Sequence, residues 1–317
     1  MSNFGGNMKK DSMKKYIKNP WKISIPMARR GLLNGLSDKA YLSLMYRATF
    51  GKKINLKNPK TFSEKLQWIK LNDRKDIYTE MVDKFAGKQF VTDRVGDEYI
   101  IPVVGGPWNH PDDIDYEALP NQFVLKTNHD SGGVMICHDK NTFDRQAARE
   151  FLLKHLQYDY YLHCREWPYK NVKPVIFAEK YLSEVDAASG VSDYKFFTFN
   201  GEPKLMYIAG GRDYALKDKQ VVYADFFDME FNHVDLKIDH ENAPVCPPKP
   251  HNFEKMVECA RKLAQGTKHL RVDFYEVNGQ LYVGELTFFH CGGLHEFITK
   301  EWEYTMGDWI RLDENKD

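Results

Sequence analysis

Three observations predict an α+β fold for this chain of 317 residues. Its strand-like apolar runs fall in neighbouring pairs joined by turn signals, as antiparallel hairpins do. Helical periodicities lie among those pairs instead of alternating with single strands. No parallel strand–helix–strand repeat can be traced.

The elements follow in order. Met1–Gly35 holds eight Lys or Arg residues and one acid, Asp11, with Trp21, Ile23 and Ile25 among them. It reads as a solvated leader or, more sharply, as a basic, aromatic-bearing surface for anionic lipid on the cytoplasmic leaflet. Thr61 and Glu64 form a capping-box pattern, and Phe62, Leu66 and Ile69 mark the apolar face of the helix behind it. A second helix is expected across Tyr78–Val95. Tyr99–Val104 reads as a short buried strand ending at Gly105-Gly106-Pro107. Phe123–Lys126 and Val134–Ile136 are two strands flanking a polar, Gly-bearing loop, and Asp144–Leu156 is helical in period. Val175–Leu182 is a strand, followed by the loose Val185–Gly190 stretch. Tyr194–Phe199, Lys204–Ala209 and Val221–Phe226 are further strands, the first two joined by the hairpin signal Asn200-Gly201. Phe253–Leu263 is an amphipathic helix stopped by Gly266, and a last hairpin spans His269–Phe289.

Composition narrows the function classes. Lys plus Arg and Asp plus Glu each number 45, so no global field recruits nucleic acid or another polyanion. The five cysteines, Cys137, Cys164, Cys246, Cys259 and Cys291, are scattered and form no CxxC pair. Neither a zinc knuckle nor a disulfide framework is indicated, and a reduced, cytoplasmic setting fits. No apolar run of membrane-spanning length and no cleavable signal is visible.

The last hairpin can be analysed by register. Val272 and Phe274 alternate with Arg271 and Asp273, and Leu286 and Phe288 with Glu285 and Thr287. If both apolar pairs face one core, the loop must hold an odd number of residues. A two-residue Asn-Gly loop would set them on opposite sides of the sheet. A three-residue loop, Val277-Asn278-Gly279, with Gly279 in the left-handed position, is therefore expected. It puts Glu285 opposite Arg271, one diagonal step from Asp273, and brings Arg271, Asp273, Glu285 and Thr287 to one face. Carboxylates that close repel unless something positive lies between them. A hard divalent cation such as Mg²⁺ is one answer, leaving positions open for phosphate oxygens. An exposed sheet face with an Arg–Glu cross-strand pair is the other.

The R-x-D … E-x-T pattern on two adjacent strands resembles the metal-binding end of the ATP-grasp enzymes. The resemblance implies Asp273 and Glu285 as Mg²⁺ ligands and Arg271 as stabiliser of the reacting phosphoryl group. Thr287 stands where many members have Asn, so in place of the amide a hydroxyl would coordinate the metal or hold a water. Phe-Val-Leu-Lys126 matches the family's phosphate-contacting lysine strand, and Asn128-His-Asp-Ser131-Gly132-Gly133 its Gly-rich lid, whose backbone N–H groups cradle phosphate. Ile176-Phe-Ala-Glu179-Lys180-Tyr181-Leu182 resembles the hinge that reads the adenine edge. Lys195 and, more weakly, Arg212 are further phosphate candidates. Within the superfamily the chain is most similar to the TupA-like ATP-grasp proteins of bacterial cell-surface polysaccharide and teichuronopeptide loci, whose members often carry a glycosyltransferase label. The resemblance covers most of the chain after about residue 55.

That resemblance implies an ATP-grasp fold, two α+β subdomains clasping ATP, preceded by a small helical N-terminal region. It divides the chain into a basic leader (1–57), a helical region (58–120), a lid subdomain (121–184) and a C-terminal subdomain with the metal site (185–317). The chemistry it implies is ATP- and Mg²⁺-dependent carboxylate–amine ligation through an acyl-phosphate, on a cell-surface polysaccharide or its precursor. Lys126 and Lys180 would orient the triphosphate. The absence of a Gly-x-Ser-x-Gly elbow or a Cys–His motif agrees, since no nucleophilic side chain is required. A sugar or polyol kinase on the same nucleotide site is the nearest alternative. A glycosyltransferase would need Asp-x-Asp after an apolar strand, whereas Asp113-Ile-Asp115 lies in a polar stretch that reads as a solvated turn. His290 and Cys291 follow the metal strand directly: a histidine there can contact substrate, and an isolated cysteine beside a Gly turn reads as structural.

Overall fold

The computed structural model describes residues 19–182, 193–210, 223–238 and 240–312. Residues 1–18 of the leader, the Val185–Gly190 stretch, Val221 and Arg212 lie outside them. Helices α1 (Ser24–Arg29) and α2 (Asp38–Phe50) lead into α3 (Phe62–Asn72). The capping box at α3 is formed: the Thr61 hydroxyl accepts from Glu64 N–H at 3.2 Å, and the Glu64 carboxylate accepts from Thr61 N–H at 3.3 Å.

The single helix expected across Tyr78–Val95 is two, α4 (Ile77–Val82) and α5 (Gly87–Val95). Asp83 breaks it, because its Oδ1 accepts from the backbone N–H groups of Phe85 (2.8 Å) and Ala86 (3.0 Å). A side chain that satisfies backbone donors this way offers a turn in place of helix. The expected strand Tyr99–Val104 is also displaced. Strand β1 runs over Val103–Trp108, while Asp97–Tyr99 form a 3₁₀ turn and Ile100 makes a lone bridge to Val283. Pro102, with no N–H, cannot carry a ladder through that segment; its carbonyl instead accepts from Lys180 N–H at 2.9 Å.

Strands β2 (Phe123–Thr127), β3 (Val134–Cys137) and β4 (Ile176–Lys180) join β1 in a four-stranded antiparallel sheet of order β1-β4-β2-β3. Helix α6 (Arg145–Leu156) buries Leu152 in the same small core as Phe123, Leu125 and Ala178. Short α7 (Tyr160–Cys164) follows. Strands β5 (Asp193–Phe199), β6 (Glu202–Gly210), β7 (Tyr223–Phe227), β8 (His233–Val234), β9 (His269–Val277) and β10 (Gln280–Thr287) form a second antiparallel sheet of order β10-β9-β5-β6-β7-β8. The Asn200-Gly201 turn joins β5 to β6 with two residues at positive φ, as expected.

One face of the six-stranded sheet is the core. Helix α8 (Phe253–Ala264) buries Met256, Ala260 and Leu263 completely, and its Phe253 ring lies 5.9 Å from that of Phe196. Phe196, Val272 and Phe274 are fully buried on that side, each such side chain contributing about 1.5–3 kcal/mol. Helix α9 (Glu301–Trp309) packs against α3. Asp113 closes a short 3₁₀ turn and Asp115 caps the next, both exposed, in agreement with the solvated turn expected there. Among the described residues no helix is long and apolar enough to cross a membrane.

Candidate functional site

On the face of the large sheet turned away from α8, one row of side chains crosses four strands. Tyr207 pairs with Lys195, Lys195 with Asp273, and Asp273 with Glu285. This row differs from the sequence expectation. The loop of the last hairpin has two residues, Asn278 (φ 50°) and Gly279 (φ 75°), the left-handed pair that an Asn-Gly turn favours. The parity is restored inside β10, where the register slips by one residue between Val283 and Glu285. Gly284 is therefore a β-bulge. Below it Val283 faces Phe274; above it Leu286 faces Val272, Glu285 faces Asp273 and Thr287 faces Arg271. Arg271, Asp273, Glu285 and Thr287 do share a face, but Glu285 is opposite Asp273 and not Arg271. A Cβ at position 284 would sit 2.5 Å from the Tyr275 ring, so glycine suits the bulge.

The charges on this face are tightly paired. Arg271 Nε and Nη2 donate to Asp273 Oδ1 and Oδ2 at 2.6 and 2.7 Å, a bidentate contact. Lys195 Nζ lies 2.6 Å from Asp273 Oδ2 and 2.5 Å from Asp193 Oδ2. Burial alone would push the Asp273 carboxyl up, but Arg271 and Lys195 outweigh it and hold it at about 2. Burial acts against charge on Lys195 too, and Asp273 and Asp193 reverse that, raising the ammonium above its ordinary value. Asp193 goes the other way: burial first, with Asp273 adding, pushes it up against the pull of Lys195. The Thr287 hydroxyl accepts from Arg271 Nη2 and donates to Glu285 Oε1, both at 3.2 Å.

His290 completes the Arg271 environment. Its Nδ1 accepts from Arg271 Nη1 at 2.8 Å, which requires the neutral imidazole. Burial, then the Arg271 charge, hold it well below the ordinary histidine value. Cys291, at φ 49°, is exposed, with its Sγ 3.6 Å from His290 Nε2. Nearby, Lys70 is wholly buried and donates to the carbonyls of Cys164 (2.8 Å) and Gly292 (2.7 Å). Burial pushes the Glu166 carboxyl beside it up to about 7, Lys70 opposing and Glu285 adding.

A second cluster stands on the four-stranded sheet. Lys126 and Glu179 fall on the face bearing Val124 and Phe177, by the β2–β4 register and the alternation of side chains. Glu179, 3% exposed, takes Lys88 Nζ on Oε1 at 2.6 Å and Lys126 Nζ on Oε2. Burial would raise the Glu179 carboxyl, but the two lysines hold it below its ordinary value. Burial in turn lowers Lys88 despite Glu179. Lys180, exposed, is on the opposite face with Leu125 and Ala178, so the sheet separates it from Lys126. Tyr181 and Leu182 follow half-buried, the Tyr181 ring 5.0 Å from that of His138.

The Asn128–Gly133 loop hangs from these strands on buried polar residues. Thr127 Oγ1 donates to Asp130 Oδ1 at 2.5 Å, and the other Asp130 oxygen meets His155 Nδ1. Asn128 Nδ2 donates to Asp83 Oδ2 at 2.8 Å. A Cβ on Gly133 would sit 1.8 Å from Thr127 Oγ1, so no other residue fits, while Ser131 and Gly132 form the exposed tip.

One member of each cluster, Lys88 and Glu285, lines a common cleft, together with Lys84 from the α4–α5 break and Gly284. The sequence reading omitted both lysines and Asp193. Lysines four apart at a helix start look like solvent-facing residues, and only the fold shows Glu179 beneath Lys88. Among the described residues no group of three or more His, Cys, Asp or Glu side chains is arranged to hold a metal. Mg²⁺ bound with a nucleotide needs fewer, one or two carboxylates with phosphate oxygens and water. Asp273 and Glu285 supply two, facing one another, with the Thr287 hydroxyl beside them. Asp273 Oδ2 is taken by Arg271 and Lys195, but Asp273 Oδ1 and Glu285 Oε1 each accept a single hydrogen bond and keep a second lone pair, so the donor set fits.

Comparison with known proteins agrees with this architecture. Residues 64–311, well over half the chain, match the family model described as TupA-like ATPgrasp. Solved structures that the chain is similar to include D-alanine–D-alanine ligase from Bacillus anthracis, at 15% identity and TM-score 0.37, covering 77% of this chain and 67% of that one. N5-carboxyaminoimidazole synthetase from Staphylococcus aureus with ADP gives 14% and 0.40, over 80% and 51%. D-alanine–D-alanine ligase from Helicobacter pylori gives 13% and 0.41, over 78% and 69%. The chain thus spans about half to two thirds of the length of these enzymes. No curated protein matches it. By its family match and its pair of antiparallel sheets, the chain belongs to the TupA-like ATP-grasp family.

Proposed function

We infer that this protein is an ATP-dependent ligase that activates a carboxylate as an acyl-phosphate and passes the acyl group to an amine. The acid or amine belongs to a cell-surface polysaccharide or its precursor. The observation that carries the chemistry is a cleft lined both by Lys88, which shares Glu179 with Lys126, and by Glu285, which pairs with Asp273 across the hairpin. The polysaccharide assignment is supported by the family resemblance.

In the reaction a substrate carboxylate oxygen bonds to the γ-phosphorus of ATP as the bond to the ADP oxygen breaks. The amine nitrogen then bonds to the acyl carbon, phosphate departs, and the amine loses a proton. Lys126, Lys88 and Lys195 bind and orient the triphosphate oxygens. Tyr181 and Leu182 offer backbone groups to the adenine, and the Ser131–Gly133 tip closes over the phosphates. Arg271, held on two sides by Asp273 and His290, is pre-aimed at the charge that grows on the transferring phosphoryl group, where a fixed donor acts at low reorganisation cost. Mg²⁺ held by Asp273, Glu285 and Thr287 supplies further positive charge to those oxygens when bound. Residues 121–184 act as the lid and 185–317 as the metal-bearing subdomain.

The test is product analysis with ATP, Mg²⁺ and panels of uronic acids and amines. Phosphate release that requires both acid and amine is expected. Release with a phosphorylated sugar and no amine requirement would replace ligation by kinase chemistry, and turnover of a nucleotide sugar without ATP would remove both.

A further inference from the structure

We propose that the surface formed by residues 19–36 is a docking face for an anionic lipid bilayer. Twelve large apolar side chains are exposed among the described residues, and five of them, Trp21, Ile23, Met27, Leu32 and Leu36, fall in this one stretch. Ile23 and Met27 are one helical turn apart along the start of α1, 60% and 37% exposed, and Leu32 is 66% exposed in the turn that follows. A concentration of this kind marks an interaction surface, unlike apolar residues scattered singly.

The stretch is held in place. Leu33 points inward and packs with Tyr41, Leu42 and Met45, with Ile25 and Ala28 against them. Arg165, buried and in the left-handed conformation, donates to the carbonyls of Leu33 (3.4 Å), Asn34 (2.8 Å) and Leu36 (3.4 Å). Tyr161 donates to Asp38 Oδ1 at 2.5 Å, and Tyr41 to the His163 carbonyl at 2.7 Å. A buried guanidinium thus locks the turn in a form that keeps Leu33 in and Leu32 and Leu36 out. The display is a property of the folded state.

Charge selects the partner. From Asn19 to Ser37 there is no Asp or Glu, whereas Lys22, Arg29 and Arg30 lie among the apolar residues, and Lys39 follows. The Trp21 indole, 40% exposed, stacks under the Arg47 guanidinium at 4.1 Å, pairing an amphipathic ring with a cation. Apolar tips among basic side chains, without acids, match the boundary between acyl chains and anionic headgroups.

The test uses the full chain and sedimentation with vesicles of phosphatidylcholine alone or mixed with phosphatidylglycerol. Binding is expected only with phosphatidylglycerol and should weaken with added salt. The double variant Ile23→Asp, Leu32→Asp should lower the bound fraction about tenfold, and Arg29→Ala, Arg30→Ala should lower it and flatten the salt dependence. Val245→Asp, at a residue 81% exposed elsewhere, should leave it unchanged. Thermal unfolding and ATP affinity measured in parallel should match the parent in all variants. Three results would overturn the proposal: no binding by the parent, equal binding to neutral vesicles, or parent-like binding by the Ile23, Leu32 double variant. A parent dimer that the double variant abolishes, with vesicle binding unchanged, would assign the face to a second copy of the chain instead.

Discussion

Glu285 stands directly across the hairpin from Asp273, and the single residue that puts it there is Gly284. The Asn278-Gly279 turn demands two residues, and the core demands that Leu286 join Val272 and Phe274. Those requirements conflict by one residue. The bulge absorbs it.

A sharp prediction follows for position 284. Gly284→Val sets a branched side chain against the Tyr275 ring and should lower stability by about 1–3 kcal/mol with a matching fall in turnover. Deleting Gly284 should be milder. The shortened strand keeps Val283 across from Phe274 and Glu285 across from Asp273, now in a regular ladder. Thermal unfolding and ADP release on the two variants check this. A deletion more damaging than the valine would show that the extra twist of the bulge, and not register alone, is needed.

Glu285→Gln is the clean probe of the polar face. Glu285 is half-exposed and accepts one hydrogen bond from Thr287, so the amide should fold normally. Turnover should fall by about 10²-fold or more if the carboxylate acts on the phosphoryl-transfer step. Asp273→Asn should also lose activity, but with a stability loss of about 3–5 kcal/mol, because Arg271 and Lys195 lose their shared buried anion. Parent-like turnover by Glu285→Gln would exclude the carboxylate from the chemistry.

How much of this was legible in the sequence depends on how local each signal is. The α+β class, the capping box at Thr61, the Asn200-Gly201 turn and most strand positions rest on a few adjacent residues, and the structure keeps them. The hairpin parity was legible as a constraint but not in its solution, since a bulge and a longer loop satisfy the core equally. Helix α4–α5 reads as continuous until Asp83 is seen to cap its own backbone. Lys88 acquires meaning only through Glu179, ninety-one positions later in the chain. Lys180 was expected to orient the triphosphate together with Lys126, but the β4 register that buries Glu179 turns its neighbour to the other face.

Glu179 should impose an acid limit on stability. Its folded carboxyl is held below its ordinary value by Lys126 and Lys88, which outweigh burial. A depressed carboxyl contributes stability that is complete above the unfolded value of 4.5 and is lost as pH falls through the folded one. Glu179→Gln leaves two ammonium groups around a neutral amide and should cost about 3 kcal/mol at neutral pH. The gap between variant and parent should close as pH drops below about 4.5. Denaturant unfolding across that range measures it, and a gap independent of pH would mean the carboxylate is not the group responsible.

His269 makes the last prediction, in a different pH window. Its ring lies 5.1 Å from Phe62 and 5.2 Å from Phe199, Nδ1–H donates to the Thr198 carbonyl at 2.8 Å, and Nε2 is buried without a partner. Burial first, with the Arg271 charge adding, drives its value from 6.5 to about 3. The folded ring therefore refuses a proton that the unfolded chain accepts. Stability from this group is complete above about 6.5 and declines as pH falls from there toward about 3, at roughly 1.4 kcal/mol per pH unit. Glu166, pushed up to about 7, acts in the opposite direction, so the total slope mixes several groups. The difference between parent and His269→Phe isolates one. Phenylalanine suits the aromatic surroundings but leaves the Thr198 carbonyl without its donor, so the variant should be less stable at pH 8. Between pH 6.5 and 5 its stability should fall less steeply than the parent's by one proton, and the two curves should converge. Denaturant titrations at closely spaced pH values supply both slopes; equal slopes would mean that His269 takes up its proton in the folded state as readily as in the unfolded one.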